Sequence, residues 1–361
     1  MRGSILCILS IAAVILGGCH PAGPASVGTG RASYNMVIQR TNNEQLLLNL
    51  VRLRYRDTPY FLEVSSVATT FDFTASAAGA VSLPESESKV YDLGAGISFS
   101  EQPTVSYTPL QGEDFVRQLM SPIDLNTIIL LYHSGWSVER IFRVCLQSIN
   151  GIPNAPSASG PTPGYVPKYE KFQEVTRHLR QLQLQRALDM CHTPSRDPNN
   201  PIVEIHISDK ALQSSEARQL YDLLGLEYGR SNFPLINNVR TADKTRIVTR
   251  SRSLMGSLFF ASQSVEVPPD DEQAARVTVT KDEQGNRFDW QQVTGELMHI
   301  HWSEQRPKNA YVTVGYRGRW FYIDDSDLTS KSTFSLLMQL FALQAGEIKS
   351  TAPVLTLPVG G

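Results

Sequence analysis

The sequence predicts an α+β fold, and three observations carry that prediction. Two adjacent runs alternate apolar and polar residues with period two, within 67–108, which is the pattern of a long β-hairpin. Helical periodicity then dominates 111–149. Beyond a Pro-rich stretch, strand and helix patterns mix, and adjacent strands are joined by tight turns. The expected architecture is an N-terminal helix and long β-hairpin, a central helical region, and a C-terminal mixed antiparallel sheet with a buried helix.

The first helix is expected over 42–57. Leu46, Leu47, Leu50, Val51 and Leu53 recur there at helical spacing, Arg52, Arg54 and Arg56 lie elsewhere, and Pro59 follows the end. In the first hairpin arm, Val67, Phe71, Phe73 and Val81 share one parity while Thr70, Asp72, Thr74 and Ser76 share the other. After the polar segment 84–89, Tyr91, Leu93, Ile97, Phe99, Val105 and Tyr107 alternate with Asp92, Ser98, Ser100, Thr104 and Ser106. Pro103 predicts a break or an edge position in the second arm.

Helices are expected at 111–120, 123–134, 137–149 and 168–191, with Ser137 as an N-cap. Between the last two, 150–167 holds five Pro and three Gly, so no helix or central strand persists through it. The segment 151–167 is therefore expected as a surface connection separating regions 34–150 and 168–361. The second region shows strand patterns at 202–208, 245–250, 276–280, 296–302, 310–316 and 319–324, and helical patterns at 214–226 and 253–264. Arg317-Gly318 forms a short hairpin turn between the last two strands. Helix 331–345 is apolar on nearly every face, which predicts burial, and Gly346 is its natural stop.

The extreme N-terminus has a different character. Arg2 supplies a positive charge, Ile5 to Leu16 is an unbroken run of twelve mostly apolar residues, and Gly17-Gly18-Cys19 follows at once. A bilayer-spanning helix needs about 20 apolar residues, so the run fits the core of a signal peptide. Leu16 to Cys19 resembles the lipobox of bacterial lipoproteins. The resemblance implies cleavage before Cys19, which removes 1–18, diacylglycerol on the Cys19 sulfur, and acylation of the new amine. Several acyl chains at about 0.8 kcal/mol per buried CH₂ give durable attachment to a lipid bilayer. In such lipoproteins the residue after the Cys influences sorting, and His20 is not the Asp associated with inner-membrane retention; the implied location is the outer membrane, with a periplasmic body. Residues 19–33, rich in Pro, Gly, Ala and Ser, are expected as a flexible tether. The rest of the chain resembles proteobacterial lipoproteins of unknown function, a resemblance that implies no activity.

Charge and cysteine content narrow the classes further. With 33 Lys+Arg against 35 Asp+Glu in 361 residues, there is no electrostatic case for a nucleic-acid binder. Of four Cys, Cys7 leaves with the signal peptide and Cys19 is acylated, so Cys145 and Cys191 remain in an oxidising compartment. One disulfide between them is expected, with two buried free thiols as the alternative.

Candidate chemistry is sparse. His299 and His301 lie two apart in a strand pattern, so both rings project from one face where a metal could bridge them, with His206 as a third ligand from another strand. Against this, the sequence has no HExxH motif, and paired surface His are the plainer reading. No G-x-S-x-G elbow occurs, Gly94 and Gly96 lie inside a strand pattern rather than a dinucleotide loop, and the acidic turn 324–327 lacks the spacing of a calcium loop. No cofactor is implied. Arg240, Lys244, Arg246, Arg250 and Arg252 form a local basic patch that suits phosphates of lipid or an acidic partner, or else a solvated strand face.

The leading expectation is a non-enzymatic, outer-membrane-anchored lipoprotein whose body binds or assembles with other envelope proteins. One alternative is a tethered periplasmic hydrolase acting on cell-wall or lipid material through His206, His299 or His301. Another is a homo-oligomeric pore to which each protomer contributes the 67–108 hairpin. In that case the arms exceed the 9–11 residues that span a bilayer, although Ala75, Ala77, Gly79 and Ala95 weaken the apolar face. The competing role for the hairpin is a half-solvated sheet packed on the helix at 42–57.

Overall fold

A computed structural model of the chain describes residues 22–81, 91–161, 163–194, 202–237 and 243–345, with 22–31, 33, 65–81, 91–105 and 345 described by their backbone. The segment 1–18 expected as a signal peptide, Cys19, the link 84–89, Arg240 and Gly346 lie outside the described residues. The described elements form the α+β class that the sequence predicts.

Helix α1 (Ala22–Arg54) contains most of the stretch expected as a helix at 42–57 and begins far earlier, inside the segment expected as a tether. Pro24 falls in its first turn, where a missing N–H removes no intrahelical bond, so the small-residue composition of 22–33 is compatible with helix. The stripe Leu46, Leu47, Leu50, Val51 and Leu53 is buried. The chain then reverses through Arg56, whose φ of 63° is left-handed, and enters strand β1 (Leu62–Val81).

β1 pairs antiparallel with β2 (Tyr91–Pro109) in a sheet of two strands. β2 runs on through Pro103, opposite Thr69. In a two-stranded ladder each strand has an outer edge, where proline's missing N–H costs no ladder bond. The root of the hairpin is clamped to α1 by two amides one helical turn apart. Gln45 accepts from the Leu62 N–H (2.7 Å) and donates to its carbonyl (3.1 Å), and Asn49 does the same at Tyr60 (2.9 and 2.8 Å). Phe61 stacks on Phe341 and meets the edge of Phe115, which seats the root in the core.

Three short helices follow, α2 (Glu113–Met120), α3 (Leu125–His133) and α4 (Val138–Cys145), the last capped by Ser137 as expected. α4 stops four residues short of its expected end because the chain turns into β3 (Leu146–Ile149), which pairs with the two-residue β4 (Ile152–Pro153) across Asn150-Gly151, both at positive φ. The helix expected over 168–191 is α5 (Glu170–Leu184), which ends before Arg186 at φ 55°; its expected last turn is instead strand β5 (Leu188–Thr193). Strand β6 (Ile202–Ile207), helix α6 (Ser215–Leu224), strand β7 (Asn232–Asn237) and strand β8 (Ile247–Ser251) complete a six-stranded sheet of order β4-β3-β8-β7-β6-β5. Only β7 and β8 are parallel. Since β3 pairs with β8, the Pro-rich 151–167 connection does not divide the chain into separate bodies: strands from both sides of it share one sheet.

Helix α7 (Leu254–Ser262), capped by Ser253, is buried around most of its circumference and touches α1, α2 and α4. Two short helices follow, α8 (Pro269–Gln273) and α9 (Gln291–Thr294). The stretch 276–280 between them forms no named strand, contrary to expectation. A separate three-stranded sheet, order β10-β11-β9, comes from β9 (His301–Ser303), β10 (Ala310–Tyr316) and β11 (Arg319–Asp324). Arg317 and Gly318 both take positive φ, as a two-residue hairpin turn of the primed type requires. The last helix, α10 (Leu328–Ala345), starts at Asp327, whose carboxylate accepts from the Ser330 N–H. Phe334, Leu336, Leu337 and Leu340 are fully buried, while Leu328 and Leu343 stay exposed, so burial covers one side rather than every face.

Candidate functional site

The residues with the most concentrated chemistry gather where two segments meet through an isolated parallel bridge. Val265 pairs with Ile300, the Ile300 N–H donates to Ser264 (3.0 Å), and the Glu266 N–H donates to Ile300 (2.9 Å). Ile300 is fully buried, so its neighbours His299 and His301 project the other way, toward Glu266. His299 Nε2 lies 2.6 Å and His301 Nδ1 3.3 Å from the same carboxylate oxygen, Glu266 Oε1. The two imidazoles are 4.0 Å apart at their centroids. Ser330 Oγ accepts from the His299 N–H (2.8 Å), and β9 pairing sets His301 opposite Tyr322 in β11.

The His299/His301 pair therefore lies as its spacing predicts, but the third partner is not His206. That residue sits on β6, where Nδ1 contacts Asn232 Oδ1 at 2.7 Å. The carboxylate at ligand distance comes from Glu266, 33 residues before His299 in sequence. Neither helical nor strand periodicity relates positions so far apart. Glu266 and His299 line a cleft of about 530 Å³ together with Arg54, Gln263, Trp290 and Trp302. Arg54 is almost wholly buried and its Nε has no hydrogen-bond partner, while one terminal nitrogen donates to Thr278 O.

Electrostatics ties the three groups together. Burial on its own would raise the Glu266 carboxyl, yet hydrogen bonds from His299 and His301 outweigh it and hold the group at about 2. The same hydrogen bond raises His301, against burial, with Asp327 and Asp324 adding to it. A depressed carboxylate contributes stability that is present above its unfolded value of 4.5 and lost as pH falls toward 2. A raised imidazole contributes stability that is present below 6.5 and lost as pH climbs through its folded value. The cluster's contribution in chelator-treated protein is thus greatest between these limits. Glu266→Gln should cost about 1–2 kcal/mol there, after allowing for solvent screening of a partly exposed group, and flatten the pH dependence measured by urea unfolding.

Of the expected basic patch, Arg240 lies outside the described residues and Arg252 does not reach the surface. Lys244 and Arg250 are exposed, and Arg246 is held by Asp243 at 2.6 Å. Arg252 is fully buried: β8 ends at Ser251, so strand parity does not extend to it. Its guanidinium instead fills the C-terminal end of α4, donating to the carbonyls of Arg143 (2.8 Å), Val144 (3.1 Å) and Asn154, and to Ser159 Oγ (2.9 Å), with the Phe260 ring 4.0 Å away. The negative end of the helix dipole and the orphan carbonyls explain a buried cation without an acidic partner. Burial lowers its pKa to about 9, which leaves it charged at neutral pH.

The expected disulfide is likewise not formed; Cys145 and Cys191 are free thiols. Cys145 precedes β3 and Cys191 lies in β5, four strand steps away across the sheet. At about 4.8 Å per step that is about 19 Å, against the roughly 7 Å a bridge permits. Burial drives the Cys145 thiol up to about 12. Alkylation without reductant should label Cys191 in the native protein and both residues in denaturant, read by peptide mass mapping.

The other candidate is the hairpin. Its register pairs Phe73 with Phe99, Ala75 with Ile97, Ala77 with Ala95, Gly79 with Leu93 and Val81 with Tyr91 on one parity. The opposite parity pairs Asp72 with Ser100, Thr74 with Ser98, Ser76 with Gly96, Ala78 with Gly94 and Ala80 with Asp92. Because Tyr60 is clamped to Asn49 and Leu62 to Gln45, β1 leaves the body running toward the N-terminus of α1. No helix among the described residues is long and apolar enough to cross a membrane. No family model matches the chain, and neither a curated protein nor a solved structure matches it.

Proposed function

We propose that this protein is a lipid-anchored, non-enzymatic component of the outer membrane whose copies assemble, each contributing its 62–109 hairpin, into one membrane-spanning β-barrel. The observation that carries the reading is a ladder of two strands, 20 and 19 residues long, with no third strand beside it among the described residues. An isolated two-stranded ribbon is marginal in water, and its outer edges are templates for further strands. Hairpins from neighbouring copies supply those strands, and closure removes the last edge.

The parities support a bilayer as the surrounding medium. Phe73–Val81 and Tyr91–Phe99 are nine residues each on the distal half of the ribbon. They rise about 30 Å along the strand, or about 23 Å along the bilayer normal at a tilt near 40°, against an apolar band of about 25 Å. Aromatic residues stand at both ends of that span, Phe73 and Phe99 at one and Tyr91 at the other. The opposite parity holds Thr, Ser, Gly, Ala and Asp, which suits a wet lumen.

Direction and reach fit the anchor as well. From the clamp at Gln45 and Leu62, α1 extends about 35 Å to Ala22, three residues from Cys19. The hairpin sets off from the same clamp toward the N-terminal end of α1, and the eleven residues from Leu62 to the start of its distal apolar span at Phe73 reach about 36 Å. The two reaches match, which supports a reading in which lipid on Cys19 and the start of the apolar span meet the same membrane surface. Purified full-length protein in planar bilayers should give stepwise ion conductance, with 73–81 and 91–99 protected from protease in proteoliposomes. Silent bilayers together with free cleavage inside 73–81 and 91–99 would end the reading.

A further inference from the structure

We propose that Glu266, His299 and His301 bind one divalent transition-metal ion, with Zn²⁺ the expected occupant. Three donor atoms, one from each residue, lie within 4.8 Å of one another. The backbone fixes this convergence. The Val265–Ile300 bridge places Glu266 beside Ile300, and the period of two aims His299 and His301 from either side of Ile300 to the same face. Two imidazoles already approach one carboxylate oxygen, so a cation in place of the bridging hydrogen bonds finds its lone pairs gathered.

The distances decide how much must move. Ligands of a tetrahedral Zn²⁺ at about 2.0–2.1 Å stand roughly 3.3 Å apart. His301 Nδ1 and Glu266 Oε1 are at 3.3 Å already. His299 Nε2, hydrogen-bonded to Oε1 at 2.6 Å, needs to retreat by a little under 1 Å, which is within side-chain adjustment. The second oxygen, Oε2, faces the Trp302 N–H at 3.4 Å, a contact that keeps Oε1 turned toward the rings.

Donor chemistry selects the ion class. Two imidazoles and one carboxylate suit Zn²⁺, Fe²⁺, Ni²⁺ or Cu²⁺, whereas Mg²⁺ and Ca²⁺ prefer all-oxygen sites and Cu⁺ prefers sulfur. The side chains of Glu266, His299 and His301 are 35, 30 and 31% exposed, so an ion can enter and a fourth position stays open to water or to a ligand in the cleft.

The test uses untagged full-length protein in detergent, stripped with chelator and titrated with ZnCl₂ by calorimetry. One ion per chain with micromolar or tighter Kd is expected. His301→Ala and Glu266→Gln should each weaken binding about 100-fold or more, since disturbing a ligand's support alone costs 10–100-fold. His206→Ala should bind as the wild type does. Absence of saturable binding, or His301→Ala and Glu266→Gln binding like the wild type, would overturn the site. Should either variant fail to fold, electron paramagnetic resonance of Cu²⁺ on the wild type decides: nitrogen coupling from two imidazoles is expected, and coupling from fewer would overturn it.

Discussion

Assembly through the hairpin, as proposed, predicts that Ala77→Arg yields a monomer while Ala78→Arg, one residue on, leaves the oligomer intact. Ala77 pairs with Ala95 at the middle of the apolar parity, and Ala78 pairs with Gly94 on the opposite one. A lipid-facing arginine at mid-membrane costs about 2–4 kcal/mol, and a closed ring repeats that cost in every protomer. Size-exclusion of the Ala77→Arg protein should show a folded monomer, and its bilayers should be silent. The Ala78→Arg protein should keep its size, conduct less per step, and shift selectivity toward anions because one positive charge per copy enters the lumen. Equal effects at the two positions would mean that the parities do not separate lipid from lumen.

The second large effect lies in the body. Arg252→Met should destabilise the folded chain by about 2–4 kcal/mol, because buried acceptors lose a charged donor and each one left unsatisfied costs about 1–3 kcal/mol. Three carbonyls and the Ser159 hydroxyl lose the guanidinium, although Asn154 Nδ2 still donates to Arg143 O (2.9 Å) and Ser257 Oγ to Val144 O (3.1 Å). Arg252→Lys should recover only a fraction of the loss, because an ammonium cannot reach all four acceptors with the planar fork that guanidinium offers. Urea midpoints at fixed slope are the readout. A variant as stable as the wild type would show that the end of α4 is satisfied without the cation.

Where periodicity is strong and local, the sequence is readable. The β10 and β11 strands run over the same residues as their alternation, and Arg317-Gly318 closes them. The buried stripe of α1 follows its leucines. The elements that escape a reading of the sequence carry weak or interrupted signals. Asn150-Gly151 between Ile149 and Ile152 is a hairpin signature, but the surrounding prolines obscure it, and β3 merges into the pattern of the preceding helix. Leu188 and Met190 alternate inward in β5, yet a six-residue strand following directly on a Gln-rich helix has little room to show its own period. β7 contains Pro234, which argues against a strand in sequence and is tolerated beside Glu204.

The candidate metal cluster divides along the same line. His299 and His301 share a face because they flank Ile300, a relation visible in three residues. Glu266 joins them through one isolated bridge between distant segments, and no local pattern encodes such a contact. Arg252 fails in the opposite way: its parity with Arg250 resembles a strand face, but the strand ends one residue before it.

Whether copies of this chain join through the hairpin is tested most directly by the native mass of the full-length protein in detergent. Assembly through the hairpin predicts an integer multiple of the chain mass that collapses to a single chain when 65–105 is replaced by a short glycine link, with the body still folded by circular dichroism. A monomer with the hairpin intact, or an oligomer that survives its removal, would contradict it.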